Sequence, residues 1–506
     1  MKLFSQDKIL RKVIWFIIIF TVFFCYVRLM QQYTFNNHAL DDGYNDNLIW
    51  NTLQGNFFYS EIKGYCTLGD HLDPILLLFL PFYFFGLGPR FLFITQTILI
   101  ALGALPIYWL AKERLKDSPF TLLFPLAYLL YIPTVNITFQ GFYQIALAIT
   151  PLLLAFYYLL NDKYRPFLLW LLVALFCQED VALVAAFLGG YILLKKKPKL
   201  LGSSLLLGGL ALFVIDLQII IPYFKGTNYT YFERYAYLGT STAAALKTLF
   251  TRPFFVFKHI LITDKILYLV GLFLPVAFLS FLAPSALIPA IPALAQNLLS
   301  TYSDMYQLGT RYPSATIPFV FMSAILGLEK LLQTIQEPSA KERILKLIRR
   351  TMIFCLVLSM LYFFLGFFFR YTTVTPAVRD GQALLPLVPK DAAISALGNL
   401  YPHLAHRKNI WIFPKNYEQS DYLILCKLDP TWPLEGDYTP VIKQLLKEKN
   451  YAKLLEFTFI GEVPRAPIAQ KEYQIWFDKV MADPNFKLVA EKKYYLLLKS
   501  RRAKNK

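Results

Sequence analysis

Long apolar runs separated by short polar ones fill the first 370 residues. A helix that crosses a bilayer needs about 20 apolar residues, fewer when it is flanked by anchors. On that measure the chain predicts about eleven spans, at 13–30, 90–110, 119–132, 144–160, 167–177, 181–194, 200–223, 266–282, 286–299, 313–332 and 352–369. The run 75–85, between Pro74 and Pro89, is too short to cross and reads as a re-entrant or surface-lying helix. After Arg370 the pattern changes. Short β-like runs (392–397, 410–413, 422–425, 494–498) alternate with helical ones (441–449, 474–481), which predicts a small α/β domain. The fold class expected is an α-helical polytopic membrane domain over 1–370, with an acidic first loop at 31–89, followed by an α/β domain over 371–506.

Composition agrees with the pattern. The chain is 56% hydrophobic and 17% charged, with mean hydropathy +0.45, a balance that soluble domains of this length do not carry. The net charge of +18 would suit nucleic acid if it formed one groove. Instead the basic residues cluster in short loops and in the C-terminal tail, so no nucleic-acid partner is expected. The N-terminus, 112–116, 163–165, 195–199 and 341–350 are all basic. If 75–85 does not cross, alternation puts every one of them on one side, the cytoplasmic one. The C-terminal domain is then extracytoplasmic, and the chain a multi-pass protein of the plasma or inner membrane. The first apolar run has no small-residue cleavage site after it and reads as a retained helix. The five cysteines are scattered and form no CxxC pair, which indicates neither a disulfide framework nor a zinc site.

Candidate chemistry gathers on the outer side. Asp41, Asp42, Asp46, Asp70 and Asp73, with His71, follow the first span, and Lys63 is the one Lys or Arg between Asp41 and Asp73. Carboxylates beside a bilayer are costly to desolvate and usually serve ions, substrates or protons. For Asp70–Pro74 an N-cap on the next helix is an equally good reading. Glu179 and Asp180 open a helix, where carboxylates suit the positive dipole end. The tyrosine-rich stretch 229–237 reads as a helix lying on lipid, and His403 and His406 as surface residues. No carboxylate is read at mid-span and no internal repeat is found, which counts against a transporter or lipid flippase.

Two motifs resemble the DUF2079 family of predicted multi-pass membrane proteins. They are Asp41-x-Gly43-x-x-Asp46-x-x-x-Trp50-Asn51-Thr52-Leu53-x-Gly55 and Leu68-Gly69-Asp70-His71-x-x-Pro74-Ile75-Leu76. Glu179-Asp180-Val181-Ala182, Arg311-Tyr312 and Asn399-Leu400-x-Pro402-His403-Leu404-x-x-Arg407 look similar too. The chain departs from the family at Asn47, where Gln is usual, and at Phe142-Tyr143-Gln144-Ile145, where a Phe-His-Pro-Glu-like segment is usual. The missing His and Glu count against a metal site and against activity. The family itself resembles GT-C membrane glycosyltransferases. That implies transfer of a sugar from a polyprenyl-phosphate carrier to an acceptor on the outer face. On this resemblance Asp41 is the candidate base and Asp46 orients the acceptor, while Asp42 matches no acid of the pattern. Arg311, His71, Glu179 and Asp180 are the candidates for substrate and phosphate, and Asp70 and His71 for a divalent cation. The partners implied are the lipid-linked sugar and membrane lipid; the alternative to an enzyme is a transporter or a non-catalytic assembly protein.

Overall fold

The computed structural model describes residues 7–195, 198–227, 229–427, 447 and 470–502. Packing divides the chain into two units that do not follow chain order. The first comprises Met1–Phe24, Leu68–Leu76 and Ile94–Met360; the second comprises Cys25–Thr67, Leu77–Phe93 and Leu361–Lys506. The sequence assigns all of 1–370 to one domain, whereas packing places 25–67 and 77–93 with the C-terminal segment.

Among the described residues, six helices are long and apolar enough to cross a bilayer. They are Lys8–Tyr33, Gly88–Leu115, Phe120–Phe139, Lys199–Lys225, Ile317–Thr334 and Pro338–Thr372. A seventh is available if Pro253–Ile260 and Thr263–Val276, bent by 70°, count as one span. The eleven expected spans are therefore not all present as single helices of that length among the described residues. Three of those apolar runs fold as the shorter helices Gln144–Leu160, Tyr164–Leu175 and Asp180–Leu194. A fourth, at 286–299, breaks into the 3₁₀ turn Pro284–Ala290 and the helix Ile291–Leu299, each with proline in its first two positions. Periodicity cannot tell a buried short helix from a span when both are apolar all round. The segment Pro74–Phe84 is short, as expected: a 3₁₀ turn, Pro74–Phe79, runs into the helix Leu80–Phe84.

In the first unit Asp180–Leu194 packs against Lys199–Ile215 at glycines. A Cβ added at Gly189 would lie 2.4 Å from the Leu206 nitrogen, and one at Gly209 would lie 2.6 Å from the Ala182 oxygen. Small residues let the two backbones touch, the usual device where lipid gives helices no hydrophobic reason to associate. This contact fixes the helix whose first residue is Asp180.

The second unit is built on a five-stranded sheet in the order β4-β3-β5-β7-β6, apart from a two-stranded ribbon, β1 (Tyr59–Ser60) and β2 (Tyr65–Cys66). Strands β3 (Ile394–Ala396), β4 (Ile410–Ile412) and β5 (Tyr422–Cys426) are parallel; β6 (Phe486–Glu491) and β7 (Tyr495–Ser500) join antiparallel. β3 and β5 are buried throughout, which explains why they read as apolar runs interrupted only by Ser395. The helix Gln470–Ala482 is present as the sequence predicts; the one expected at 441–449 lies, but for residue 447, outside the described residues. Phe35 and Ala39 belong to the same hydrophobic core as the sheet. Phe35 packs so closely on Gly381 that a Cβ there would sit 2.5 Å from its ring. That packing is why the start of the acidic loop goes with the sheet.

Gly209→Leu should destabilise the protein by about 1–3 kcal/mol through overpacking. A thermal melt of the purified protein in detergent should show a lowered Tm; an unchanged Tm would contradict the close approach of the two helices.

Candidate functional site

The first unit assembles a polar cluster around Glu179. This residue precedes the helix Asp180–Leu194 but does not cap it with its side chain. Oε1 is bonded to His71 Nδ1 at 2.8 Å, and Oε2 accepts the Leu72 N–H at 3.0 Å. One carboxylate thus holds both the ring and the backbone of the Leu68–Leu76 segment. The Ile75 N–H, donating to the Phe176 carbonyl at 2.9 Å, secures the same segment one turn later. Glu179 is fully buried in its side chain while His71 is 28% exposed, so the pair is anchored inside and presents one edge of the ring. Burial disfavours the imidazolium, but the charge and hydrogen bond of Glu179, helped by Asp70, outweigh it and raise the His71 pKa to about 9.

Asp70 bonds to a tyrosine from a distant part of the chain. Its Oδ1 accepts the Tyr231 hydroxyl at 2.7 Å, and the Tyr231 ring stacks on His71 with centroids 5.3 Å apart. Asp73 is buried and its Oδ1 has no hydrogen-bond partner among the described residues. Burial, with Glu179 and Asp70 nearby, pushes its pKa up to about 8.

A cavity of about 330 Å³ opens beside His71. Asp180 lines it, taking bonds from Gln296 Nε2 (2.9 Å) and Gln178 Nε2 (3.1 Å). Two arginines line it as well. Arg311 lies over the rings of Tyr143 (4.9 Å) and Tyr312 (5.0 Å). Arg234 lies over Tyr231 (4.3 Å) and Tyr302 (4.8 Å) and donates to Tyr312 Oη at 3.4 Å. Among the described residues Arg234 forms no ion pair. Leu183, Phe213, Leu217 and Leu249 give the cavity an apolar wall. The arrangement suits a ligand with an anionic head and an apolar body. Stacked guanidinium groups hold their donors in a fixed plane, and the fork matches phosphate oxygens.

The second unit holds the remaining acids of the first loop. Asp41 lies, partly exposed, in the π-helical turn Ala39–Gly43. Asp42 is ion-paired with Arg28 at 2.8 Å, both side chains 1% exposed. Asp46 Oδ1 accepts the Tyr83 hydroxyl and contacts His406 Nε2, each at 2.8 Å. Asn47 Nδ2 donates to the Ala405 carbonyl at 2.7 Å and Asn51 Nδ2 to the Tyr59 carbonyl at 3.1 Å. Several motif residues are therefore structural ties.

Of the residues expected to act, the structure brings together Asp70, His71, Glu179, Asp180 and Arg311 in the first unit. Asp41 and Asp46 belong to the second. Four readings change. The tyrosine-rich stretch expected on lipid folds as the 3₁₀ segment Thr230–Leu238, and Tyr231, Arg234 and Tyr235 line the cavity. The polarity of Arg234 amid aromatic rings was its available signal, and a lipid surface explains that pattern equally well. His406 is no idle surface residue, since it is bonded to Asp46. Asp216 is a carboxylate inside a predicted span, Lys199–Lys225, buried to 1% and at the start of a π-helical turn. Among the described residues, no three His, Cys, Asp or Glu side chains converge as a cation's donor set requires. Asp70 and His71, the expected ligands, are held by Tyr231 and Glu179 instead, so the residues do not fit a divalent cation.

The family described as "Predicted membrane protein (DUF2079)" matches residues 31–494. No curated protein matches the chain. Among solved structures, the crystal structure of ArnT from Cupriavidus metallidurans in the apo state is similar to this chain with a TM-score of 0.48 and 13% identity, covering 94% of this chain and 97% of that one.

Two outcomes follow from this geometry. Asp42→Asn removes the carboxylate charge that Arg28 meets inside the protein and should cost about 3–5 kcal/mol, so Tm in detergent should drop; an unchanged Tm would contradict the buried pair. The second outcome concerns pH. Asp73 and His71 both hold their protons in the folded state above the pH at which they lose them unfolded. Stability from them is therefore present at low pH and is lost as pH rises, through about 8 for Asp73 and about 9 for His71. Asp73→Asn, which mimics the protonated acid, should flatten the fall in Tm between pH 5 and pH 8; a variant whose Tm falls as steeply as the parent's would contradict the raised carboxyl.

Proposed function

We propose, for a chain that belongs to the DUF2079 family of predicted membrane proteins, that it binds a polyprenyl-phosphate-linked sugar and transfers the sugar to an acceptor on the outer face of the membrane. The observation that carries this reading is the pair of stacked arginines, Arg234 and Arg311, on one cavity with an apolar wall. The phosphate sits against the two guanidinium groups, and the apolar wall takes the first part of the lipid chain. In the reaction an acceptor hydroxyl oxygen bonds to the anomeric carbon as the bond from that carbon to the phosphate oxygen breaks. The leaving phosphate keeps the electron pair, and the arginines stabilise its charge. The hydroxyl proton goes to a carboxylate. Asp41 is proposed as that base on the motif alone, with Asp46 orienting the acceptor; Asp180 is the carboxylate that lines the cavity itself. His71 and Glu179 position the cavity rim.

Asp216 favours a second reading, transport, because a buried acid within a spanning helix usually marks a pathway for ions or protons. Binding separates the two. Polyprenyl phosphate should bind the purified protein and polyprenol should not. Arg234→Gln and Arg311→Lys should each weaken that binding about tenfold or more, the worth of a charge-assisted hydrogen bond. With a polyprenyl-phosphate sugar as donor, Asp41→Asn should reduce transfer by ~100-fold or more while binding persists. If Asp180→Asn abolishes transfer and Asp41→Asn does not, the base belongs to the cavity. Equal binding of the phosphate and the alcohol would remove the glycosyl-transfer reading and leave transport.

A further inference from the structure

The second unit has a concavity of its own, about 760 Å³ in volume, of which the reading above uses Asp46 alone. Its chemistry differs from that of the first unit's cavity. Arg90, Lys390 and Lys408 line it, all three side chains are exposed, and among the described residues none of them forms an ion pair. A fourth cation at the wall, Arg407, is already committed: it is 6% exposed and donates to the carbonyls of Leu404, Pro389 and Ala392. Two acids share the wall: Asp46, engaged by Tyr83 and His406, and the exposed Asp391, which acts on Arg407. His406 has its pKa raised because Asp46 outweighs the burial that would lower it. Arg90, Lys390, Arg407 and Lys408 thus outnumber the two acids, Asp46 and Asp391, and give the concavity a net positive field, which draws in anions.

A bare anion would fill little of this space. The aromatic wall indicates what the rest of the ligand is. Trp50 and His406 stack with ring centroids 6.2 Å apart and planes 17° from parallel, and the His406 side chain is 41% exposed. Flat aromatic faces beside hydrogen-bonding groups suit the C–H face of a sugar ring, which is apolar on its face and polar at its edge. We propose that this concavity is a binding site for a phosphorylated sugar. Arg90, Lys390 and Lys408 hold the phosphate, and Trp50 with His406 holds the ring. The site rests on second-unit residues alone and does not depend on the reading of the first unit's cavity. The same chemistry comes from a soluble sugar phosphate or from the sugar-phosphate head of a lipid.

Titration calorimetry on the full-length protein tests this, with glucose 1-phosphate, inorganic phosphate and glucose as soluble probes. A glucosyl-phosphoryl-polyprenol in nanodiscs forms the lipid arm. The expected order is glucose 1-phosphate tighter than phosphate, with glucose undetected. The exposed double variant Arg90→Gln/Lys390→Gln should weaken glucose 1-phosphate tenfold or more and reduce the salt dependence of binding. Trp50→Ala should weaken glucose 1-phosphate while leaving inorganic phosphate unchanged. Gel filtration and circular dichroism check that each variant is folded. If only the lipid-linked sugar binds, and the double variant weakens it, the source is a lipid headgroup and the site stands. Binding that the double variant leaves unchanged, or no binding of glucose 1-phosphate, phosphate or the lipid-linked sugar, overturns the proposal.

Discussion

The contact between Glu179 and the segment 70–73 organises the polar part of the first unit. A single buried carboxylate takes the His71 ring on one oxygen and the Leu72 N–H on the other. With the ring fixed, Tyr231 stacks on it, and Asp70 accepts the Tyr231 hydroxyl. With Tyr231 fixed, Arg234 has a face to lie on. The chain of dependence runs from one acid at a helix start to a guanidinium on the far side of a cavity. Each link is local in space, although Glu179 and His71, and Asp70 and Tyr231, are more than a hundred positions apart in sequence. Burial makes the arrangement demanding, because a charge removed from water must find its partner inside the protein.

The second unit uses the same economy with different partners. Asp42 answers Arg28, Asp46 answers His406 and Tyr83, and Asn47 answers the carbonyls of Ala405 and Arg407. The bonds of Asp46 to His406 and of Asn47 to Ala405 and Arg407 tie the loop after the first helix to the turn at 401–407, while Phe35 and Ala39 tie it through the hydrophobic core. Three acids that look equivalent in sequence therefore have different tasks. Asp42 is structural, Asp46 is held in a network, and Asp41 lies at the partly exposed turn.

Much of this arrangement is legible in the amino-acid sequence. Alternation of short apolar and polar runs predicts the C-terminal strands, because a sheet buried on both faces leaves that signature in β3 and β5. The density of acid in the first loop marks Asp70 and His71 as more than solvated polarity. Glu179 and Asp180 stand out beside an apolar run. Hydrophobic windows do not give helix length, because runs such as Gln144–Leu160 and Asp180–Leu194 are apolar yet fold as helices shorter than the six long ones. They fail again at Arg234, since aromatic residues around one cation describe a lipid surface and a ligand cavity equally well. Asp216 is hidden for a similar reason: one acid barely changes the mean hydropathy of a 27-residue helix. The strand β6 alternates too weakly to be read, being exposed along most of its length.

The central claim is that the first unit's cavity receives the phosphate of a lipid carrier between Arg234 and Arg311. An electron cryo-microscopy map of the protein prepared with a polyprenyl-phosphate sugar tests it most directly. The account predicts phosphate density within hydrogen-bond reach of both guanidinium groups, continuous with a lipid chain along Leu183, Phe213 and Leu217. Density for the phosphate elsewhere on the protein, with that cavity holding only solvent, would contradict it.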